Sequence, residues 1–464
     1  MAAPMIHALR PVPCLFRPLY RRISHSAGFL EAAGRRGLFK DVFPAESGPS
    51  QLSELLRSGP QTVYCGFDPT ADSLHIGNLL TVLGLVHFHR AGHNIIAVIG
   101  GATGLLGDPS GRMNEREALS QEKITENIRG IRRCLERLFS NCETLVPGAR
   151  PGGTVRVLNN EQWYRQRGAA EFLGSVGRHF RMGTMMSRHS VQSRLSSPEG
   201  MSLAEFVYQV FQSYDFYQLN QTHDCRIQLG GTDQLGNIMS GHDFIHRITG
   251  EEVFGITLPL ITNSAGDKLG KSAGNAIWLS RDKTSPFELY QFFVRQPDGI
   301  VERFLKLFTF IPLPEIEQVM EQHGKEPEKR LPHKRLAAEV TKIVHGKEGL
   351  ESAKRCTQAL YNSSLEALEK MSDQELQELF REAPFAEVLL EPGTRVMDLC
   401  LKVSAIPEGA RGYEMISSGG VSINHKKVTN PDEVLLLGHH ILHNGLSLLR
   451  VGKKNFYIVK WLHL

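Results

Sequence analysis

The sequence predicts an α/β protein that begins with a parallel β-sheet covered by helices. Apolar strand-like runs alternate with segments of helical periodicity as far as residue 284. The strand pattern then stops, helical segments continue to residue 380, and a β-rich end follows residue 391. Alternation of this kind favours a parallel sheet, in which ligands bind at the carboxyl ends of the strands.

The individual elements follow in chain order. Strands are predicted over residues 62–67, 94–100, 154–158 and 225–229, and helices over 120–139 and 202–219. Later helices are predicted over 300–310, 314–322, 334–344 and 373–380, and late strands over 420–423 and 455–461. Because 464 residues exceed one ordinary core, we expect two or three domains.

The composition is that of a globular protein with free thiols. Apolar residues make up 41% and charged residues 22% of the chain, and no apolar run reaches the roughly 18 residues of a membrane helix. The seven cysteines form no C-x-x-C pair, which argues against a zinc site or a disulfide framework. Reduced thiols fit an intracellular compartment. We therefore expect no membrane association and no protein-bound metal.

Residues 1–30 differ from the rest of the chain in charge. They contain four arginines but no aspartate, glutamate or lysine, which is typical of a mitochondrial presequence. Four prolines interrupt any amphipathic helix there, and a disordered basic tail is the alternative. Without these arginines the chain has equal numbers of basic and acidic residues, so a polyanion must bind to local basic patches.

Two short motifs indicate a site for ATP phosphates. Residues 75–78, His-Ile-Gly-Asn, follow a predicted strand and begin an apolar-periodic helix. Residues 268–272, Lys-Leu-Gly-Lys-Ser, lie in a loop. A helix N-terminus with a histidine and a loop with two lysines supply the donors and cations that phosphates require. The glycine-rich loops at 100–107 and 266–272 lack the spacing of a P-loop.

These motifs resemble those of bacterial-type tyrosyl-tRNA synthetases, which are class I aminoacyl-tRNA synthetases. The resemblance extends from residue 39 to the C-terminus and is carried by residues 64–70, 75–78, 100–116, 208–215, 228–237 and 268–272. It implies a Rossmann-type catalytic domain at 31–284, an α-helical anticodon-binding domain at 285–385 and a ribosomal-protein-type RNA-binding domain at 391–464. It also implies a homodimer, formed near residues 163–195. Together with a presequence at 1–30, it implies a member of the family that acts in the mitochondrial matrix.

The family's reaction joins tyrosine to tRNA(Tyr) in two steps. The tyrosine carboxylate attacks the α-phosphate of ATP, which gives tyrosyl-adenylate and pyrophosphate, and tyrosine then moves to the terminal adenosine of the tRNA. Because the nucleophile is already ionised, catalysis must come from positioning and charge stabilisation. The resemblance assigns these roles to His75, Thr70, Lys268 and Lys271, with Mg²⁺ carried by ATP. The family usually has a histidine at position 78, where this chain has an asparagine, which cannot become cationic.

The resemblance also assigns the two binding pockets. Tyr64 and Asp215 would face the substrate hydroxyl. Phenylalanine has no hydroxyl, so its binding would leave both residues without a hydrogen-bond partner. This enzyme family is itself the standard illustration of such discrimination against phenylalanine. The spacing of residues 208, 212 and 215 places them on one helix face. The other tyrosine-binding residues would be Asp108, Tyr208, Gln212, Gln228 and Gln234. The ATP-binding residues would be Cys65, Asp68, Gly77, Asn78, Gly231, Asp233, Lys268 and Lys271. For Cys65, a buried structural thiol is the alternative.

Basic clusters outside the ATP-binding region indicate an RNA surface. They lie at residues 325–335, 426–427 and 450–460, where an RNA phosphate backbone would be bound. Arg112 and Arg116 would guide either ATP or the acceptor end of the tRNA. Two other functions remain open: a tryptophanyl-tRNA synthetase, and an RNA-binding protein without catalysis, such as an intron-splicing cofactor. Tyr64 and Asp215 argue against the first, and intact His75, Lys268 and Lys271 argue against the second.

Overall fold

The computed structural model describes residues 27–112, 114–117, 119–146, 153–261, 276–361, 365–379, 384–452 and 455–462. These residues form two β-sheets with helices packed around them. Within those ranges, no helix has both the length and the apolar composition that crossing a bilayer requires.

The larger sheet has six strands in the order β1-β6-β5-β2-β3-β4. Their bounds are β1 Asp41–Phe43, β2 Thr62–Phe67, β3 Asn94–Ile99, β4 Val155–Asn159, β5 Cys225–Gly231 and β6 Phe254–Leu258. β1 is antiparallel to β6, and all other neighbours are parallel. The chain proceeds from β2 to β4 on one side and from β5 to β6 on the other. The switch point between β2 and β5 is where such sheets bind ligands.

Helices cover this sheet and connect its strands. Their bounds are α1 Ala27–Arg35, α2 Gly48–Ser58, α3 Ile76–Arg90, α4 Gln121–Leu145, α5 Glu161–Tyr164, α6 Ala169–Ser175, α7 Met182–Met186, α8 His189–Leu195, α9 Leu203–His223 and α10 Leu235–Thr249. α3 connects β2 to β3, α4 connects β3 to β4, and α10 connects β5 to β6. β2, β3 and β6 are buried along almost their whole length, as expected when helices cover both faces of a parallel sheet.

A helical region follows the sheet domain and shares its core. Its bounds are α11 Pro286–Val294, α12 Asp298–Phe308, α13 Leu313–Lys325, α14 Leu331–Tyr361, α15 Leu365–Glu369 and α16 Asp373–Leu379. α14 bends at Gly346, whose φ of 76° a glycine adopts without steric cost. Phe304 and Val340 belong to the same apolar cluster as the strands of the larger sheet. Asn141 of α4 donates to the carbonyl of Ile343 at 2.9 Å. The helical region is therefore packed firmly against the sheet domain.

The C-terminal part contains the second sheet, with strand order β7-β11-β10-β8-β9. Its bounds are β7 Phe385–Leu389, α17 Val396–Lys402, α18 Ala410–Ser417, β8 Val421–Ile423, β9 Lys426–Val428, β10 Leu446–Val451 and β11 Asn455–Leu462. β7 is parallel to β11 and precedes residue 391, at which the sequence analysis began this domain. The sheet therefore includes a strand that lies almost entirely between the two predicted domains.

The predicted α/β class and the order of its elements are confirmed. Five of the strands in the described residues were not predicted: β1, β6, β7, β9 and β10. β1 has only three residues, and β7 pairs only with a strand more than sixty residues away. A second difference lies at the N-terminus, where α1 begins at Ala27. The ring of Phe29 packs on Phe88 with centroids 4.8 Å apart. The last residues of the predicted presequence thus form part of the folded core.

Candidate active site

A cavity of about 1340 Å³ lies at the switch point between β2 and β5. Its walls come from the segments after β2, β3 and β5, from the start of α3 and from α9. The predicted residues that line it are Tyr64, Cys65, Asp68, Thr70, His75, Gly77, Asn78, Asp108, Tyr208, Gln212, Asp215, Gln228, Gly231, Asp233 and Gln234. Lys268 and Lys271 lie outside the described residues.

Tyr64 of β2 forms part of the cavity wall with an unsatisfied hydroxyl. The side chain is buried against Phe216, with ring centroids 5.2 Å apart. Its hydroxyl has no hydrogen-bond partner among the described residues. Burial, followed by the nearby Asp215 carboxylate, raises the pKa of Tyr64 well above its ordinary value. The phenol therefore stays protonated, and it can still donate and accept a hydrogen bond.

Asp215 of α9 is held by three donors from the segment after β4. Trp163 Nε1 and the Tyr164 hydroxyl donate to Oδ1 at 2.8 and 2.9 Å, and Asn160 Nδ2 donates to Oδ2 at 3.0 Å. Burial raises the pKa of Asp215 to about 7, although these three donors oppose the shift. Oδ2 accepts from one of these donors, whereas Oδ1 accepts from two. Oδ2 is therefore the oxygen better able to accept a further hydrogen bond from a ligand.

Asp68 lies where β2 ends and connects three parts of the wall. Thr103 Oγ1 donates to Oδ1 and the Tyr208 hydroxyl donates to Oδ2, both at 2.8 Å. Burial and the Asp108 carboxylate raise the pKa of Asp68 to about 6. A Cβ on Gly100 would lie 2.1 Å from Asp68 Oδ1, so only glycine allows this approach. The glycine-rich loop after β3 thus accommodates the Asp68 carboxylate.

Asp108 is the centre of a second polar group, opposite Asp68. Gln234 Nε2 donates to Asp108 Oδ2 at 2.6 Å. The Asn237 amide nitrogen lies 2.9 Å from Gln212 Oε1 and 3.5 Å from Asp108 Oδ1. Asn237, which was not predicted as a site residue, therefore connects the predicted tyrosine-binding residues Asp108 and Gln212. Gln228 is buried in β5, and its Oε1 has no partner among the described residues.

His75 is the N-cap of α3, and Asn78 completes the cap. His75 Nδ1 accepts from the Gly77 backbone N–H at 3.1 Å, and the His75 N–H donates to Asn78 Oδ1 at 3.1 Å. Because Nδ1 accepts, the neutral ring carries its proton on Nε2, which becomes the donor. The asparagine that departs from the family pattern thus closes a reciprocal capping box.

The remaining predicted ATP residues, together with Thr70, line the cavity. Gly231 ends β5, and a Cβ there would lie 2.7 Å from Asp233 Oδ1. Thr70 is exposed, and its N–H donates to the Asp68 carbonyl at 2.9 Å. Cys65 belongs to the apolar core, and burial raises its pKa to about 12. These facts favour the alternative for Cys65, a neutral structural thiol.

Residues that the sequence analysis left undecided or missed also lie here. Arg112 and Arg116 line the cavity, and Arg116 Nε is buried without a partner among the described residues. Asn160, Trp163 and Tyr164 were missed as site residues. The available signal was their position directly after the predicted strand at 154–158, on the edge where ligands bind.

Comparisons with known proteins establish the family of this chain. The family model described as tRNA synthetases class I (W and Y) matches residues 56–362. The mitochondrial tyrosine–tRNA ligase of Rattus norvegicus is 64% identical over 100% of both chains. That of Homo sapiens is 65% identical over 96% of this chain and 95% of its own.

Solved structures give the same result. A C-terminally truncated mitochondrial tyrosyl-tRNA synthetase from Aspergillus nidulans superposes with a TM-score of 0.66 at 33% identity, over 72% of this chain and 94% of its own. The corresponding Coccidioides posadasii protein gives 0.61 at 36% identity, over 70% and 90%. The chain therefore belongs to the class I tRNA synthetases of the tryptophan and tyrosine family, and within it to the mitochondrial tyrosyl-tRNA synthetases.

Proposed function

We propose that this chain is a tyrosine–tRNA ligase of mitochondrial translation. It activates tyrosine with ATP to tyrosyl-adenylate and pyrophosphate, and then transfers tyrosine to the terminal adenosine of tRNA(Tyr). The observation that carries this proposal is the buried Tyr64 hydroxyl beside Asp215, both in the wall of one polar cavity.

Tyr64 and Asp215 select the phenol of tyrosine. The substrate hydroxyl donates to Asp215 Oδ2 and accepts from Tyr64, so each group gains a partner. Phenylalanine offers neither contact, and it leaves a buried carboxylate and a buried hydroxyl without a ligand. The indole of tryptophan has a single donor in a different place and cannot satisfy both groups.

The amino-acid backbone is bound at the opposite wall. The Tyr208 hydroxyl donates to Asp68, which leaves its oxygen lone pair to accept from the substrate ammonium. Asp108 and Gln212 supply further acceptors for that cation. Gln228 and Gln234 border the carboxylate, and this arrangement points the nucleophilic oxygen toward the start of α3.

Adenylate formation needs charge stabilisation and no general base. The tyrosine carboxylate forms a bond to the α-phosphorus, and the bond from that phosphorus to the bridging oxygen of pyrophosphate breaks. His75 Nε2–H, at the positive end of α3, donates to the phosphates, with Thr70 beside it. Asp233 and the Gly231 backbone bind the ribose. Lys268 and Lys271 neutralise the leaving pyrophosphate, and Mg²⁺ arrives with ATP.

The transfer step requires tRNA to dock on the later domains. Lys426 and Lys427 are exposed on β9, an edge strand of the second sheet. Lys325 and Lys334 are exposed in the helical region, whereas Lys329 and Arg335 are paired with glutamates. We infer that the helical region binds the anticodon arm and that the second sheet adds phosphate contacts.

The protein works as a homodimer in the mitochondrial matrix. Exposed large apolar side chains cluster between residues 173 and 203: Leu173, Met182, Met186, Leu195 and Leu203. Such a patch is typical of a protein interface. Analytical ultracentrifugation should give twice the mass of the chain, and Leu203→Asp should shift it to monomer. We infer that an arginine-containing presequence is removed on import and that cleavage occurs before Phe29, whose ring packs in the core.

Amino-acid-dependent ATP–pyrophosphate exchange, measured across all twenty amino acids, tests the proposed function. Tyrosine alone should support rapid exchange. Exchange with tryptophan but not tyrosine would identify the other activity of this family. Exchange with no amino acid, together with tight tRNA binding, would favour an RNA-binding protein without catalysis.

A further inference from the structure

Two buried histidines and one aspartate meet in the helical region, far from the switch-point cavity in the chain. Asp298 is the first residue of α12, His323 lies in the last turn of α13, and His333 lies near the start of α14. We propose that these three side chains bind one divalent transition-metal ion, with Zn²⁺ as the best fit, and that the ion holds the three helices together.

The separations between the donor atoms suit a tetrahedral ion. His323 Nε2 lies 3.4 Å and His333 Nε2 lies 3.1 Å from the same oxygen, Asp298 Oδ1. Zinc–nitrogen and zinc–oxygen bonds of about 2.0–2.1 Å, at tetrahedral angles, place neighbouring ligand atoms about 3.3 Å apart. The three donor atoms lie within 4.8 Å of one another. A small side-chain adjustment would therefore bring all three to bonding distance.

The burial of His333 gives a second, independent reason. Its ring is fully buried, and its Nε2 lies 3.1 Å from Asp298 Oδ1 without the alignment of a hydrogen bond. Such an unsatisfied atom destabilises the folded state. A metal ion on Nε2 would satisfy this atom.

The surroundings allow access and set the balance of charge. The Asp298 side chain is 59% exposed, so water can reach the site and act as the fourth ligand. Arg330 Nη1 lies 3.6 Å from Asp298 Oδ1 and opposes a cation. However, Arg330 Nη2 donates to the carbonyls of Val294 and Gln296. These two hydrogen bonds fix the guanidinium beside the Asp298 carboxylate and not between the two histidines. The carboxylate supplies the single negative charge.

This proposal differs from the sequence-based expectation of no bound metal. That expectation considered cysteine spacing, whereas this site contains only histidine and aspartate from three helices. A second group, Glu433, His439 and His440, also has donor atoms within 4.8 Å of one another. His440 Nδ1 there already accepts from the Leu436 N–H at 3.1 Å, and His439 is exposed. The second group therefore serves as the internal comparison.

The test uses the full chain without its first 26 residues and without an affinity tag that binds metal. Zinc is measured by mass spectrometry after loading and desalting, and Co²⁺ loading is followed by visible absorption, which is strong only for tetrahedral cobalt. We expect about one zinc per chain and a cobalt band in the wild type. His323→Ala and Asp298→Asn should each lower zinc at least tenfold, and His439→Ala should leave it unchanged.

Thermal melting provides a readout that does not depend on ligase activity. Added Zn²⁺ should raise the Tm of the wild type and of His439→Ala by several degrees, because it binds only the folded state. His323→Ala should lose this response while its circular dichroism remains native. Less than a tenth of a zinc per chain would overturn the proposal. Zinc retained by both ligand variants, or lost on His439→Ala, would overturn it equally.

Discussion

Replacing Tyr64 by phenylalanine removes one oxygen atom from the cavity wall. We expect this change to alter substrate selection without lowering the stability of the fold. The hydroxyl is buried without a partner among the described residues, so the free protein loses no hydrogen bond with it. We therefore expect the free energy of unfolding to stay constant or to rise by up to about 1 kcal/mol. Most Tyr→Phe changes at a bonded hydroxyl have the opposite sign.

The effect on catalysis follows from the contact that Tyr64 makes with the substrate phenol. A neutral hydrogen bond is worth about 0.5–1.5 kcal/mol, which corresponds to a two- to tenfold loss of kcat/KM for tyrosine. For phenylalanine, kcat/KM should stay constant or rise, because one unsatisfied group has been removed. The ratio of the two values should therefore fall by at least the loss measured for tyrosine. Pyrophosphate exchange gives both values.

Tyr164→Phe is the matched control, since it removes the same atom from a hydroxyl that is bonded. Tyr164 donates to Asp215 Oδ1 and lies 2.9 Å from the carbonyl of Phe211. Its loss should lower the free energy of unfolding by about 1 kcal/mol. The reasoning is refuted if Tyr64→Phe destabilises the protein as much as Tyr164→Phe does. It is also refuted if Tyr64→Phe leaves the preference for tyrosine unchanged.

Three further predictions concern the cap, the buried carboxylate and the domain boundary. His75→Asn keeps a good N-cap but removes the Nε2 donor. The rate of adenylate formation in single-turnover assays should therefore fall about 10²- to 10³-fold, while Tm changes little. A large fall in Tm with this variant would mean that the histidine has a purely structural role. Burial raises the pKa of Asp215 from 3.8 to about 7, so the folded state binds a proton that the unfolded chain releases, and stability falls as pH rises between these values. The Tm of Asp215→Asn relative to wild type should therefore rise between pH 5 and pH 8, and a flat difference would contradict the assigned shift. A chain that ends at residue 384 should keep pyrophosphate exchange but lose tRNA charging. A chain that ends at residue 391 should aggregate more than the shorter chain, because it retains β7 without its partner strand β11.

The sequence predicted β2, β3, β4 and β5 of the main sheet, and three of them, β2, β3 and β5, are mostly buried. The pattern at residues 62–67 coincides with β2, five of whose six residues are buried. By contrast, β1 and β7 are edge strands with one neighbour each. Their pairing depends on residues far away in the chain, so the local periodicity of the sequence does not predict it.

The site was predicted in part, and the missing part consists of supporting contacts. Residues that follow strands, such as Asp68 and Asp233, were found through motifs. Asn160 and Trp163 hold Asp215 across more than fifty residues of sequence, and nothing local marks that contact. Asn78 was regarded as a departure from the family pattern, and only the structure relates it to the cap on His75.

The central claim is that one cavity holds the tyrosine phenol between Tyr64 and Asp215 and the phosphates at the start of α3. A crystal structure with a non-hydrolysable tyrosyl-adenylate analogue tests it most directly. We predict that the phenol oxygen lies within hydrogen-bond distance, about 3 Å, of both the Tyr64 hydroxyl and Asp215 Oδ2. We also predict that the phosphate mimic faces His75 Nε2. An analogue bound with its phenol away from this pair, or with its phosphate mimic away from α3, would contradict the account.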